Sequence, residues 1–336
     1  MAVHRARLPE HHAELRRRVD DAGSQRPRRV PDAEQGRLGL RFTAKAPADE
    51  RRRRRTVIGE NGVTLPDDFP ASVEAFACDL DRTLIAEDAV LRPRTKAALA
   101  RATEAGIPVV VVTGRMFRSV RPYLDEAGLR SPVVCYQGAV VAEPDGTFLR
   151  HEPIPLELAK EAIAAVVQER HHLNCYVGDE LYVAEVTAEA RAYADFQSIR
   201  IHAVGDLHAW LSEPPTKLVS VGDPTALDAL ETRLKAQFDG RLYISKSLPY
   251  FLELASPEVT KATGLAFVAE HLGFSVERTV AFGDGENDVE LLESAGYAVA
   301  VENAHARVLA ASHWVCPSVT EEGVAQVIEA YLHSRR

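Results

Sequence analysis

The sequence has few cysteines and no long apolar run, and each absence excludes a class of protein. Its four cysteines are widely spaced and form no C-x-x-C pair, so neither a zinc ribbon nor a thioredoxin-like redox site is predicted. No stretch of about 18 apolar residues exists, so no membrane-spanning helix is expected. Three of the cysteines lie in or beside apolar segments, and we interpret the set as buried thiols in a reducing cytoplasm: Cys78, Cys135, Cys175 and Cys316.

Positive charge is also scarce over most of the chain. The formal net charge is −9, so a basic surface for nucleic acid is not expected. Residues 1–70 differ, since they hold 16 Lys and Arg against 11 Asp and Glu, including five consecutive arginines at 51–55. We interpret these arginines as a solvated linker, or as the result of a start site assigned too far upstream. A handle for an acidic partner such as nucleic acid is the alternative.

The same 70 residues lack the apolar content of a folded domain. They are rich in Arg, Pro, Gly and acidic residues and poor in aromatics, so they bury too little apolar surface to offset the entropy of ordering. We predict a disordered N-terminal tail over residues 1–70. Neither the first residues nor the arginine pairs are followed by an apolar segment, so no secretion signal is expected.

From about residue 72 the chain alternates between apolar strands and helices. Val-rich segments such as IPVVVVTGR (107–115) carry no polar face, and the alternation returns after residue 262. Strands of this kind are typical of a parallel sheet covered by helices on both faces. We therefore predict an α/β fold. Its Rossmann-like parallel core comprises residues 71–144 and 251–336, and an α+β domain is inserted at 145–250.

Two acidic residues stand where the first of these strands ends, in FACDLDRTLI (76–85). Residues i and i+2 of an extended chain point the same way, so the carboxylates of Asp79 and Asp81 can face one site. Ligands of an open parallel sheet bind beyond the carboxyl ends of its strands. Two neighbouring carboxylates are tolerated where a divalent cation shares the site. The pair alone is weak evidence, because D-x-D is common in loops.

Three later segments add polar groups near strand or helix ends. Thr113 and Gly114 offer a hydroxyl and a backbone N–H that suit a phosphate oxygen. Lys261 precedes a helix and can hold a phosphate and a carboxylate together. Carboxylates without accompanying Cys or His favour Mg²⁺ over zinc. Such a set comes from the segment GDGEND, which supplies Asp284, Asn287 and Asp288.

Together these segments resemble the four motifs of the haloacid dehalogenase superfamily. DLDRT is similar to its first motif, D-x-D-x-T, and the Thr of VVTGR, Lys261 and GDGEND are similar to the other three, in the same order. The long insertion between the second and third motifs resembles the type C2 (IIB) cap of Cof-like sugar phosphatases. The resemblance covers roughly residues 73–332. It departs at Arg82, where many relatives have Gly, and at Gln137, where they have Asn.

The resemblance implies a Mg²⁺-dependent phosphatase that acts on small phosphate monoesters, such as sugar phosphates or related metabolites. Asp79 is then the nucleophile that forms an aspartyl-phosphate, and Asp81 is the general acid and base. The phosphoryl oxygens are expected to bind Thr113, Gly114, Lys261 and Asn287. The metal is expected to bind Asp79, the backbone carbonyl of Asp81, and Asp284, with support from Asp288.

Under this interpretation the inserted domain closes over the site and recognises the leaving group of the substrate. No specificity residue is predicted there, and single residues such as His172 and Lys217 are interpreted as surface or packing residues. Two alternatives stay open. One is a phosphomutase or phosphotransferase acting on sugar phosphates. The other is a binding or regulatory protein that uses the scaffold without turnover, although such a protein has no need for Asp79, Asp81 and Lys261 together.

Overall fold

The computed structural model describes residues 58–59 and 62–335 of the chain. The arginine run at 51–55 and most of the predicted tail lie outside the described residues. Within them the chain forms short strands throughout, which are, in order, β1 Ile58–Gly59, β2 Gly62–Val63, β3 Ala75–Cys78, β4 Val109–Val111, β5 Val133–Cys135, β6 Val140–Ala142, β7 Phe148–His151, β8 His172–Val177, β9 Glu180–Val183, β10 Ile201–Ala203, β11 Lys217–Val221, β12 Tyr243–Leu248, β13 Phe251–Ala255, β14 Thr279–Gly283, β15 Tyr297–Val301 and β16 Trp314–Cys316.

Helices lie between most of these strands. They are α1 Pro93–Glu104, α2 Phe117–Ala127, α3 Leu156–Gln168, α4 Ala188–Gln197, α5 Leu207–Trp210, α6 Pro224–Phe238, α7 Lys261–Leu272, α8 Val289–Ser294, α9 Ala306–Ala311 and α10 Gly323–Ser334. Short 3₁₀ turns occur at Tyr136–Gly138, Val276–Arg278, Glu286–Asp288 and Val319–Glu321.

The core sheet has five parallel strands in the order β16-β15-β14-β3-β4. Strands β3, β4, β14 and β15 are buried along their whole length, which explains their unbroken apolar sequences. The predicted α/β fold with a parallel core is confirmed. Since β3 lies between β4 and β14, the segments that follow these three strands meet at one edge of the sheet.

Beyond β4 the core continues into a small antiparallel sheet, β5-β6-β7. It joins the core sheet through one parallel bridge between Val112 and Val134. Residues 145–151 therefore belong partly to this small sheet, because β7 pairs with β6. The predicted start of the inserted domain at residue 145 cuts through this sheet.

A second, six-stranded sheet lies between the two halves of the core, in the order β10-β9-β8-β11-β13-β12. We call strands β8 to β13 the inserted sheet. Helices α3 and α6 pack on one of its faces. Strand β13 pairs with both β11 and β12, so the sheet ends at Ala255 rather than at the predicted residue 250.

The last residues of the predicted tail pack against the core. Val63 is buried, and the ring of Phe69 lies 5.0 Å from that of Tyr297 and 5.8 Å from that of Tyr331, centroid to centroid. Nearby, the backbone N–H of Val73 donates to the Tyr331 hydroxyl at 2.7 Å. The prediction of a tail is therefore wrong for residues 63–70, where Val63, Leu65 and Phe69 pack against the core.

We expect Phe69→Ala to lower the free energy of unfolding by about 2 kcal/mol, because it removes a half-buried ring from an aromatic cluster. Urea denaturation of the full chain measures the change. The exposed neighbour Asp67 gives a control, since Asp67→Ala should shift stability by less than about 0.5 kcal/mol. Equal stability of Phe69→Ala and the unaltered chain would show that this segment does not pack on the core in solution.

Candidate active site

The first predicted site residue, Asp79, directly follows β3. Its backbone N–H donates to the carbonyl of Phe282 at 3.0 Å, which carries the β3–β14 pairing one residue further. The side chain is only 6% exposed. A carboxylate so far from water must be paired with other charges to be tolerated.

Lys261 provides that partner. Its Nζ donates to Asp79 Oδ1 at 2.5 Å and to Asp288 Oδ1 at 2.5 Å, and the side chain is 1% exposed. The lysine is the first residue of α7, and a reciprocal pair of hydrogen bonds between Thr260 and Thr263 fixes the start of that helix. The capped helix therefore holds the ammonium group firmly between two carboxylates.

The loop after β14 supplies the remaining acids. Asp288 Oδ2 accepts from the backbone N–H groups of Asp284 and Gly285, at 3.0 and 2.9 Å. Gly283 permits this arrangement, because a Cβ at that position would lie 2.6 Å from the Cβ of Asp288. Thr83 from the first motif donates to Asp284 Oδ1 at 3.3 Å. Oxygens of Asp79, Asp284 and Asp288 all lie within 4.8 Å of one another.

Negative charge exceeds positive charge in this cluster. Burial, reinforced by the Asp288 carboxylate, raises the pKa of Asp79 well above its usual range despite Lys261. The same two causes raise the pKa of Asp284 to about 7. Burial alone would lower the pKa of Lys261, but the carboxylates of Asp288 and Asp79 outweigh burial and raise it. Within the described part of the chain this is the one cluster of acidic, His or Cys side chains that could hold a metal ion.

The second-motif residues follow β4, the strand beside β3. Thr113 is buried, and its hydroxyl accepts from the Arg115 backbone N–H at 3.2 Å. The Gln137 side chain packs on Gly114, because a Cβ added to this glycine would lie only 2.5 Å from Gln137 Nε2. The Asn287 amide donates to Gln137 Oε1 at 3.0 Å. Gln137 thus links the second and fourth motifs within the core.

Asp81 lies apart from the carboxylate cluster. Its two oxygens accept from Nε and Nη2 of Arg115, at 2.7 and 2.6 Å. The Asp81 side chain is 38% exposed, whereas that of Arg115 is 4% exposed. Sequence reasoning assigned no role to Arg115, although it stands directly after Thr113 and Gly114 in VVVVTGR. Its position next to these two candidate phosphate ligands could have identified Arg115 as a site residue.

Arg82 occupies the turn after Asp81 with a φ of 61°, a left-handed conformation that glycine adopts most readily. A left-handed conformation costs a non-glycine residue about 1 kcal/mol. The side chain reaches back to the cluster, with Nε 3.5 Å from Asp284 Oδ2. Asn303 donates to the Arg82 carbonyl at 2.9 Å and so supports the turn. The departure from the family pattern therefore adds a cation near Asp284.

The two inserted-domain residues singled out in the sequence differ in position. His172 is partly buried, and its Nε2 lies 2.8 Å from Asn174 Oδ1. Lys217 is 3% exposed and its Nζ donates to Glu253 at 3.2 Å and to the carbonyl of Gly114 at 3.1 Å. Lys217 is therefore a packed residue that also contacts the second motif.

A sequence profile of the haloacid dehalogenase-like hydrolases matches residues 76–328, so the chain belongs to this family of hydrolases. The chain is 28% identical over 263 residues to the 5-amino-6-(5-phospho-D-ribitylamino)uracil phosphatase of Bacillus subtilis, covering 76% of this chain and 96% of that protein. It is 26% identical over 283 residues to the pyridoxal phosphate phosphatase of Escherichia coli, covering 78% and 99%. A haloacid dehalogenase-like hydrolase from Bacteroides thetaiotaomicron superposes with a TM-score of 0.72 at 26% identity, over 76% and 98%.

The family predicted from the four motifs is therefore confirmed. The described helices include none that is long and apolar enough to cross a membrane. All four cysteines are buried and free, in agreement with their interpretation as buried thiols.

Proposed function

We propose that the chain is a Mg²⁺-dependent phosphatase that hydrolyses small phosphate monoesters, sugar phosphates or related metabolites, through an aspartyl-phosphate. The observation that carries the proposal is the buried contact of Lys261 with both Asp79 and Asp288, beside Asp284. Relatives named for a phosphorylated ribityl compound and for pyridoxal phosphate support the substrate class. The buried, unpaired cysteines support a reducing cytoplasmic location.

Asp79 acts as the nucleophile. One of its carboxylate oxygens forms a bond to phosphorus while the bond from phosphorus to the leaving oxygen breaks, and water later hydrolyses the aspartyl-phosphate. The Lys261 ammonium fixes the carboxylate and offers positive charge to the phosphoryl oxygens. The hydroxyl of Thr113, the backbone N–H of Gly114 and the amide of Asn287 complete the phosphate site. These donors stabilise charge that spreads over the phosphoryl group in the transition state.

Asp81 acts as the general acid and base. Its carboxyl group gives a proton to the leaving oxygen in the first step and takes one from water in the second, which typically contributes about 10²–10⁴-fold in rate. The separate positions of Asp79 and Asp81 suit this division, because Lys261 engages one carboxylate and Arg115 the other.

The residues at the cluster fit Mg²⁺. The three carboxylates offer only oxygen ligands. The raised pKa values of Asp79 and Asp284 indicate that these two carboxylates lack enough positive charge around them. Asp79, Asp284 and the backbone carbonyl of Asp81 would hold the ion, with Asp288 in support. When bound, the ion would neutralise charge on the phosphoryl group.

The inserted sheet acts as a cap that excludes water and reads the leaving group. The contact from Lys217 to Gly114 supports this role, since it joins the inserted sheet to the second motif.

Incubation of the purified chain and Mg²⁺ with hexose phosphates, pyridoxal phosphate and p-nitrophenyl phosphate tests the proposal. We expect inorganic phosphate to be released from several of them. Isomerised sugar phosphate without free phosphate would instead identify a phosphomutase. Binding of phosphate esters without turnover would identify a non-catalytic protein.

A further inference from the structure

The segment that follows the second motif is held by the inserted sheet and its helix α4. Before Arg115, the carbonyl of Gly114 accepts from Lys217. After it, the Ser119 hydroxyl donates to the backbone carbonyl of Gln197, the last residue of α4, at 2.7 Å. The core segment that carries Arg115 is therefore fixed at both ends by residues of the insertion.

Between these contacts, helix α2 takes its N-terminal cap from the inserted sheet. The residue at its own cap position, Met116, has no side-chain oxygen to accept the free N–H groups. Asp179, in the turn between β8 and β9, supplies the capping oxygens instead. Its carboxylate accepts from the backbone N–H groups of Phe117 at 3.0 Å and Arg118 at 2.9 Å.

A further hydrogen bond reinforces this cap. The hydroxyl of Tyr136, from the core, donates to Asp179 Oδ1 at 2.8 Å, and Asp179 is 7% exposed. A buried carboxylate with three donors has little freedom to move. The start of α2 is therefore set by where the inserted sheet lies.

Arg115 lies between these contacts, and all three nitrogens of its guanidinium group donate hydrogen bonds. Nε and Nη2 contact the two oxygens of Asp81, and Nη1 donates to the Ser119 hydroxyl at 3.2 Å. The guanidinium also lies over the ring of Tyr123, 5.6 Å from its centroid. A planar, bidentate pair of this kind fixes the direction of a carboxylate as well as its distance.

We propose that Arg115 is a positioning residue for Asp81, and that Asp179 and Lys217 hold Arg115 in place, so that the acid is aligned with the leaving group when the inserted sheet is docked on the core. The inference rests on the proposed phosphatase function. In the first step the proton moves from the Asp81 carboxyl to the departing oxygen as the bond to phosphorus breaks. While Asp81 carries the proton on one oxygen, Arg115 keeps its hydrogen bond to the other oxygen, and the bidentate contact is restored once the proton has left. Arg115 exchanges no proton.

A positioning role makes the effect of Arg115 depend on the leaving group. An alkoxide departs only with a proton from Asp81, whereas nitrophenolate departs without one. We expect Arg115→Met to lower kcat/KM on an alkyl phosphate by roughly 10–100-fold, within the range of general acid catalysis, and on p-nitrophenyl phosphate by less than about 3-fold. The ratio kcat/KM is compared because it reports the steps through leaving-group departure and not the later hydrolysis of the aspartyl-phosphate, in which Asp81 serves both substrates. Arg115→Lys keeps the charge but loses the bidentate geometry, so its loss should be intermediate and again confined to alkyl phosphates.

The same comparison tests the contribution of the inserted sheet. Asp179→Ala removes the cap of α2 and should lower kcat/KM on alkyl phosphates in preference to p-nitrophenyl phosphate. Asp179→Asn keeps one oxygen acceptor and should restore part of the loss. The control is Arg121→Met, since Arg121 is an exposed arginine of α2 whose ion-pair partner is Asp125; it should leave both activities unchanged.

A double-mutant cycle separates positioning from a structural role. If Arg115 acts through Asp81, Arg115→Met should cause no further loss in an Asp81→Asn background. Equal losses on both substrate types, or additive losses in the cycle, would overturn the inference while leaving the phosphatase proposal intact. Absence of phosphate release by the unaltered chain from any ester would instead overturn the proposed function itself. If Arg115→Met fails to fold, Arg115→Lys and the Asp179 variants carry the same comparison.

Discussion

Asp79→Asn is expected to lower kcat by at least about 10⁴-fold on alkyl and aryl phosphates alike, because an amide cannot form the covalent intermediate. The side chain keeps its size and still offers an oxygen to Lys261. Since burial and Asp288 already favour the uncharged form of Asp79, the neutral amide should fold at least as well. Phosphate release and thermal melting, measured on the same samples, should therefore show lost turnover without lost stability.

The loss should be specific to the buried acid. Asp125→Asn, at an exposed position of α2, removes the same charge and should leave turnover unchanged. The contrast with Asp81→Asn is also informative, because in kcat/KM, which ends at leaving-group departure, that variant should spare p-nitrophenyl phosphate relative to alkyl phosphates. Activity of Asp79→Asn near that of the unaltered chain would remove Asp79 as the nucleophile.

The convergence of the carboxylate cluster could be predicted because topology determines it. Asp79 and Asp284 follow strands β3 and β14, which are neighbours in a parallel sheet, so their carboxyl ends must meet at one edge. Lys261 could be placed there only through the family resemblance, since nothing in its local sequence points to a partner 182 residues away.

The surroundings of Asp81 could not be predicted in the same way. Spacing in an extended chain predicted that the Asp79 and Asp81 carboxylates can face one site. It gave no sign that the chain turns at Arg82, with its positive φ, or that Asp81 pairs with Arg115. The cap that Asp179 supplies to α2 joins two segments with no common pattern. Such contacts depend on how the inserted sheet lies on the core, and hydrophobic periodicity within one segment carries no information about that.

Removal of divalent cations by EDTA is expected to abolish phosphate release, and added Mg²⁺ is expected to restore it. The reason is the crowding of three buried carboxylates around a single buried ammonium group. Without a metal ion, the raised pKa of Asp284, about 7, means that folding favours its protonated form. That stabilising contribution is present at low pH and is lost as pH rises from about 4 to about 7, so the metal-free protein should become less stable over this range.

A bound cation reverses this trend, because it favours the ionised carboxylates that the metal-free site disfavours. We therefore expect Mg²⁺ to raise the melting temperature more at pH 8 than at pH 5, a readout that does not depend on turnover. Asp284→Asn should weaken both the thermal shift and the activation by Mg²⁺, whereas Asp125→Asn should preserve them. Turnover that is indifferent to EDTA, together with a melting temperature that Mg²⁺ leaves unchanged at pH 8, would remove the metal from the proposed mechanism. The lysine would then be left as the one buried cation among these carboxylates in the described part of the chain, too little positive charge to keep all three ionised for nucleophilic attack.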